Sequence, residues 1–207
     1  MITQLVSAAL AAALLVGTTV ARAEEKAPSP EDVATTPDFR LYLEPAFSAP
    51  TGSMANVTGV GLGGLLGASY RVSDDWHVAV RAGYIASSDA SRTFDSLVGS
   101  LTVTSSVSYA PLLAGAKVYV FDVEPTVPIR LYLLGEAGPV LTIDSMTIAG
   151  SQSATASSKS INLGAAFTSG LELGTVDVRA GFLAVDVGHL HASTSFLMSV
   201  GMRFASF

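Results

Sequence analysis

Residues 76–84 read Trp-His-Val-Ala-Val-Arg-Ala-Gly-Tyr, and in them Trp76, Val78, Val80, Ala82 and Tyr84 alternate strictly with His77, Ala79, Arg81 and Gly83. Successive side chains of a strand point to opposite faces, so the stretch predicts a β-strand with one apolar face and one polar or small face. The same period of two runs upstream, in Phe39-Leu41-Leu43-Pro45-Phe47 and Leu62-Gly64-Leu66-Ala68-Tyr70-Val72. Downstream it recurs in Leu112-Ala114-Ala116-Val118-Val120, Ile129-Leu131-Leu133, Ile161-Leu163-Ala165-Phe167, Val176-Val178-Ala180-Phe182 and Phe196-Met198-Val200-Met202-Phe204. Eight strand segments result.

Where the charges fall decides what the two faces meet. Of eleven Lys and Arg residues, Arg22 and Lys26 precede the first segment, and Arg92 and Lys159 lie in or beside long connections. The other seven, Arg40, Arg71, Arg81, Lys117, Arg130, Arg179 and Arg203, all fall opposite the apolar series, as do Glu44, Glu136, Glu172 and Asp177. The remaining positions of that face are mostly small, for example Gly83, Gly115, Gly170, Gly181, Ser199 and Gly201. Small residues with a few long charged ones suit the tight lumen of a narrow barrel, and large aliphatics facing outward suit lipid. A soluble, lipocalin-like barrel alternates too, but places its bulky apolar residues inside. The expected fold is all-β: an eight-stranded antiparallel up-and-down transmembrane β-barrel.

Composition agrees with that placement. The 207-residue chain is 49% hydrophobic and only 14% charged, yet no internal run approaches the roughly 18 apolar residues a membrane helix needs. Cysteine is absent, which excludes disulfides and thiolate metal sites, and the net charge of −6 argues against a nucleic-acid partner. At the start, Leu5 to Val20 is apolar and Ala21-Arg22-Ala23 gives the small-x-small pattern of a signal-peptidase site. We therefore expect a signal peptide at 1–23 cleaved after Ala23, a flexible periplasmic leader at 24–37, and the barrel at 38–207. The region before the apolar stretch lacks Lys and Arg, a departure from the usual signal.

The connections alternate in length. Ala49 to Thr58, Ser87 to Ser106, the Ser- and Thr-rich Asp144 to Ser160, and Val185 to Ser195 are each longer than their neighbours Ser73-Asp74-Asp75, the moderate Phe121 to Val127, and Gly174-Thr175. Short periplasmic turns and long outer loops are expected of an even-stranded membrane barrel. Aromatics gather at the strand ends, with Tyr70, Trp76 and Phe204 on the turn side and Tyr84, Phe182 and Phe196 on the loop side, as in two interfacial girdles.

Signal segment, eight strands, long outer loops and an aromatic-ending last strand together resemble the small outer-membrane β-barrel proteins of the OmpX and OmpA-barrel type, across nearly all of 38–207. The resemblance implies outer-membrane lipid and the barrel-assembly machinery as partners, the latter reading a terminal aromatic in phase with the last strand. Phe204 has that phase, behind Met202 and Val200, whereas Phe207 is out of phase by one unless a bulge intervenes. We take Phe204 as the girdle residue.

Few residues suggest chemistry. His189-Leu190-His191 with Ser193 could share a metal or supply a His-x-Ser pair similar to that of outer-membrane lipid A deacylases, but no Asp or Glu follows to orient the His. Gly59-Val60-Gly61-Leu62-Gly63-Gly64 lies in a strand with no following helix, so it is room for a lumen or a bulge and not a nucleotide loop. Glu172 and Asp177 should oppose each other across the Gly174-Thr175 turn, and Arg71 should lie beside His77. The expectation is a lumenal ion network of Arg71, Arg81, Lys117, Arg130, Glu136, Glu172, Asp177, Arg179 and Arg203 that plugs the barrel in its periplasmic half. No enzymatic activity, cofactor or metal is expected. The function expected is a structural or surface-interaction role, with an external ligand held by loops 87–106 and 144–160. A narrow solute pore is the alternative, and a lipid-modifying enzyme a third.

Overall fold

The computed structural model describes residues 39–96, 99–123, 129–149 and 153–207, so the expected signal peptide and leader lie outside the described residues. Nine strands follow in order: β1 (Phe39–Pro50), β2 (Gly61–Arg71), β3 (Trp76–Ser87), β4 (Ala90–Ser96), β5 (Gly99–Val123), β6 (Ile129–Ala149), β7 (Ser153–Leu173), β8 (Val176–Ala184) and β9 (Thr194–Ser206). Eight of them close a ring, β1-β2-β3-β5-β6-β7-β8-β9, each antiparallel to its neighbours, with β9 returning to β1. Closure leaves the ring no free edge, which is what a bilayer demands of a sheet.

The alternation decides the facing. Leu43, Leu62, Leu66, Val80, Leu112, Leu131, Phe167, Val178, Met198 and Met202 point outward and are exposed, whereas their neighbours Glu44, Leu65, Arg81, Leu113, Tyr132, Thr168 and Leu197 are buried in the lumen. Tyr70, Trp76, Tyr84, Phe182 and Phe204 are likewise outward and exposed, and Phe182 packs edge-on against Phe196 at 5.8 Å.

Local sequence sets the turns at one end, called here the turn side. Leu173 pairs with Val176 across Gly174-Thr175, and Gly174 sits at φ +61° as the first central residue of a two-residue hairpin, a position natural to glycine. Arg71 opposes His77 and Glu172 opposes Asp177, as the spacing requires.

At the other end the expected loops 87–106 and 144–160 are largely strand. β4 pairs with the start of β5 from Ala90↔Ser105 to Ser96↔Gly99, β5 continues against β6 as far as Thr102↔Ala149, and β6 against β7 as far as Ala149↔Ser153. β3 accompanies β5 only up to Ile85↔Tyr109, and β8 ends at Ala184 opposite Ala165. A four-stranded sheet, β4-β5-β6-β7, therefore rises above the ring. Its serines and threonines suggest loops by composition, but their alternation with Leu101, Val103, Met146 and Ile148 is strand periodicity.

The seam between β1 and β9 also departs from expectation. The register slips between Leu41↔Ala205 and Tyr42↔Arg203, a bulge at Phe204. The bulge returns Phe207 to the outward face, 75% exposed, where it stacks on Phe39 at 6.1 Å while their backbones exchange two hydrogen bonds of 3.1 and 3.0 Å. Phe204 and Phe207 thus both face outward.

Candidate functional site: a filled lumen beneath a protruding sheet

Two layers fill the lumen. The turn-side layer is built on Glu172 of β7, which accepts from Lys117 Nζ at 2.7 Å, Arg40 Nη1 at 3.1 Å, Tyr119 OH at 2.6 Å and Tyr42 OH at 2.8 Å. Asp177, one strand over, accepts from Tyr132 OH at 2.5 Å and Arg179 Nη2 at 2.6 Å, and Lys117 Nζ lies 3.6 Å away. Lys117 therefore sits between two carboxylates that would otherwise repel across the hairpin. Deeper in, Arg81 grips Glu136 through two nitrogens, its Nε at 2.9 Å, and reaches Glu44 at 3.8 Å, while Arg179 approaches Glu44 at 3.1 Å.

Four buried cations (Arg40, Arg81, Lys117, Arg179) thus meet four buried carboxylates (Glu44, Glu136, Glu172, Asp177). Removing charge from water is tolerable only when it is paired, and each of these ions lies within 4.0 Å of an opposite charge, Glu44 through its ion pairs with Arg81 and Arg179. Aromatic faces add to it, with Lys117 Nζ 3.8 Å from the Tyr132 ring centre and the Arg130 guanidinium 3.7 Å from that of Tyr119. Glycine makes the packing feasible. A Cβ on Gly170 would strike the Tyr132 ring, and one on Gly67 would lie 2.5 Å from Glu44 Oε1.

Of the expected network, Arg81, Lys117, Glu136, Glu172, Asp177 and Arg179 come together. Arg71 instead pairs at 3.5 Å with exposed Asp74 at the turn, and Arg130 lies at the turn-side mouth, donating to the Asp74 carbonyl at 2.9 Å. Arg203 is half-buried and pairs with no carboxylate among the described residues. These three occupy strand ends, where a long side chain reaches water more readily than the axis. Arg40 and Glu44 belong to the network, as does a set of tyrosines that counting charges passes over. Tyr42, Tyr119 and Tyr132 each lie two residues from a charged lumen position, so their phase was visible in the sequence. His77 is fully buried beside them, edge-on to Tyr119 at 5.1 Å.

The loop-side layer is apolar. Ile85, Leu113, Val140, Leu183 and Leu197 are packed with the Tyr109 ring, whose hydroxyl bonds Ser48. Met54, from a 3-10 turn at Gly52–Asn56, drops into the same cluster, and Ser195 Oγ lies 3.4 Å from its sulfur. Within the turn-side layer is a cavity of only about 10 Å³, bordered by Glu44, Ser69 and Arg81, room for about one water molecule.

The histidine cluster does not assemble as a site. Ser193 is buried and donates to the Asp186 carbonyl at 2.6 Å, while His191 stands exposed on a single helical turn, Leu190–Ser193. An upstream acid, Asp186, bonds His189 Nδ1 at 2.8 Å and caps the Gly188 N–H at 2.8 Å, and these bonds hold its carboxyl below the usual range. Among the described residues no group of three His, Asp or Glu is arranged to hold a metal.

An outward belt of aliphatic side chains, aromatics at both of its rims and a closed, filled ring fix the architecture. This is a closed, eight-stranded antiparallel barrel with an apolar outer belt. No protein-family model matches the chain, and no curated protein is similar to it. Its fold is similar to that of Ail, the attachment invasion locus protein of Yersinia pestis, at 15% identity over 82% of this chain and 98% of that one, with a TM-score of 0.47. It is similar too to Neisserial surface protein A, at 18% identity over 82% and 97% with a TM-score of 0.47. The N-terminal β-barrel domain of Pseudomonas aeruginosa OprF compares at 17% identity over 81% and 98%, with a TM-score of 0.39.

Proposed function

We propose that the protein resides in a bacterial outer membrane, inserted there by the barrel-assembly machinery, and that its role is non-catalytic interaction at the cell surface through the protruding sheet. The observation that carries this reading is the sheet's inward face. Phe94, Leu101 and Met146 stand there 55%, 41% and 43% exposed, beside Val103 and Ile148, above the lipid belt. Clustered apolar side chains on a water-facing surface mark a place where something binds. The foot of this face is held to the Gly52–Asn56 turn and its flank, by Ser105 Oγ to the Val57 carbonyl at 2.7 Å and Val107 N–H to Thr58 Oγ1 at 3.1 Å, which makes the sheet a fixed platform.

The ring beneath acts as a pedestal, its lumen filled by an ionic layer and an apolar one. The test compares cells bearing the wild-type chain with cells bearing Phe94→Ser and Met146→Ser, scored for attachment to one another and to matrix-coated surfaces. Attachment should fall in the variant while the barrel keeps its faster gel mobility when unheated. Equal attachment, together with stable large-conductance channels in planar bilayers, would replace this reading with a pore.

A further inference from the structure

The sheet's other face continues the lipid-facing wall, and its composition changes along one line. On β5, β6 and β7 the outward residues are aliphatic up to Leu112, Ile143 and Ile161, and the paired row Ser108↔Ile143↔Lys159 is where the change begins. The next row is Ser106↔Ser145↔Ser157, and the one above it Thr104↔Thr147↔Thr155, joined on its flank by Ser91. Hydroxyls in these rows pair across strands, Ser91 with Thr104 at 2.9 Å and Thr147 with Thr155 at 3.1 Å, so the array is held in register. Lys159 is exposed, lies two residues above exposed Ile161, and is the sole cation on this outward face among the described residues. Two residues of strand rise about 7 Å. The ammonium therefore stands just above the last lipid-facing side chain.

We propose that this outward face, from Lys159 upward, is a binding surface for the phosphorylated saccharide headgroups of glycolipid surrounding the barrel. The inference rests on the membrane placement proposed above and goes beyond the interaction assigned to the inward face. Continuity selects the occupant. Whatever solvates Leu163 and Ile161 with acyl chains presents its headgroup to the same face one step higher. The chemistry matches that order: a cation at the level of a phosphate, then ranks of hydroxyls that both donate and accept, as saccharide hydroxyls do. The inward face of the same strands carries Leu101, Val103, Met146 and Ile148 beside Ser105, Asp144 and Ser158, and above Lys159 unbroken rows of hydroxyls stand only on the outward face.

The test places the full chain, with labelled Thr, Val, Leu and Ile methyls, in bilayer discs of phosphatidylcholine alone or with lipopolysaccharide, and compares methyl NMR spectra. Glycolipid should shift the methyls of Thr104, Thr147 and Thr155 and leave Val103 and Ile148 on the inward face unmoved. Lys159→Gln, or glycolipid stripped of its phosphates, should shrink the shifts nearest Lys159 first. Soluble headgroup oligosaccharide added to phosphatidylcholine discs should produce much smaller shifts, since the membrane supplies the local concentration. Unmoved threonine methyls overturn the inference even where Val80 and Leu163 show acyl-chain contacts in both discs, an outcome that leaves the barrel in its membrane. Absence of acyl contacts at Val80 and Leu163 overturns both readings.

Discussion

The two halves of the lumen close the same ring by opposite means. On the turn side, side chains from β1, β3, β5, β6, β7 and β8 meet as ions and phenols; on the loop side, aliphatic side chains interlock around Tyr109. The charged half sets each ion beside a definite opposite charge, so the loss of one member strands another in the interior. The apolar half has no such pairing, and a lost side chain there leaves a void whose cost depends on how far the neighbours relax. What differs between the two is how damage spreads.

The largest effect should come from Glu172→Gln, which removes the charge shared by Lys117 and Arg40. We expect a loss of about 3 to 5 kcal/mol in urea unfolding from lipid, with Lys117→Met added to the variant restoring a good part of it. If the double variant is as unstable as the sum of the singles, the charged half is not a coupled unit. Leu183→Ala in the apolar half should cost about 2 to 5 kcal/mol, with no rescue by any single second substitution. Val80→Arg leaves both halves intact and charges the lipid belt, so it should cost about 2 to 4 kcal/mol in bilayers; an unchanged midpoint would mean that the facing is wrong. Asp74→Asn, at the exposed pair with Arg71, should change stability by less than about 1 kcal/mol, measured in the same unfolding series.

Most of the ring was legible in the sequence because a period of two cannot slip by one residue without exchanging its whole apolar set for its polar one. The Trp76–Tyr84 stretch alone assigns both faces. Less visible was what a narrow cylinder does with its second face. The notion of small residues with a few charges held for Gly67 and Gly170, yet Glu44 and the Tyr132 ring fill the room those glycines leave, and Ile85, Leu113, Val140 and Leu183 make an apolar layer. Each of those aliphatics shares the phase of the charged residues lower on its own strand, so the evidence was present but is outweighed when a face is summed over its length. Arg71 and Arg203 were misplaced for a related reason, since phase gives direction but not depth. The sheet above the ring was obscured by its hydroxyl content, which reads as loop until its alternation is counted.

The seam of β1 against β9, with Phe39 laid on Phe207, makes the ring depend on its two extremes. Every other junction joins strands next to one another in the ring's chain order and can zip from its connection, but this one waits for β9, the last strand of the ring. Until then the sheet has two raw margins whose backbone amides and carbonyls hydrocarbon cannot satisfy. A half-made ring is therefore a poor guest in a bilayer, and shielding both margins until they meet is a physical task for whatever inserts it.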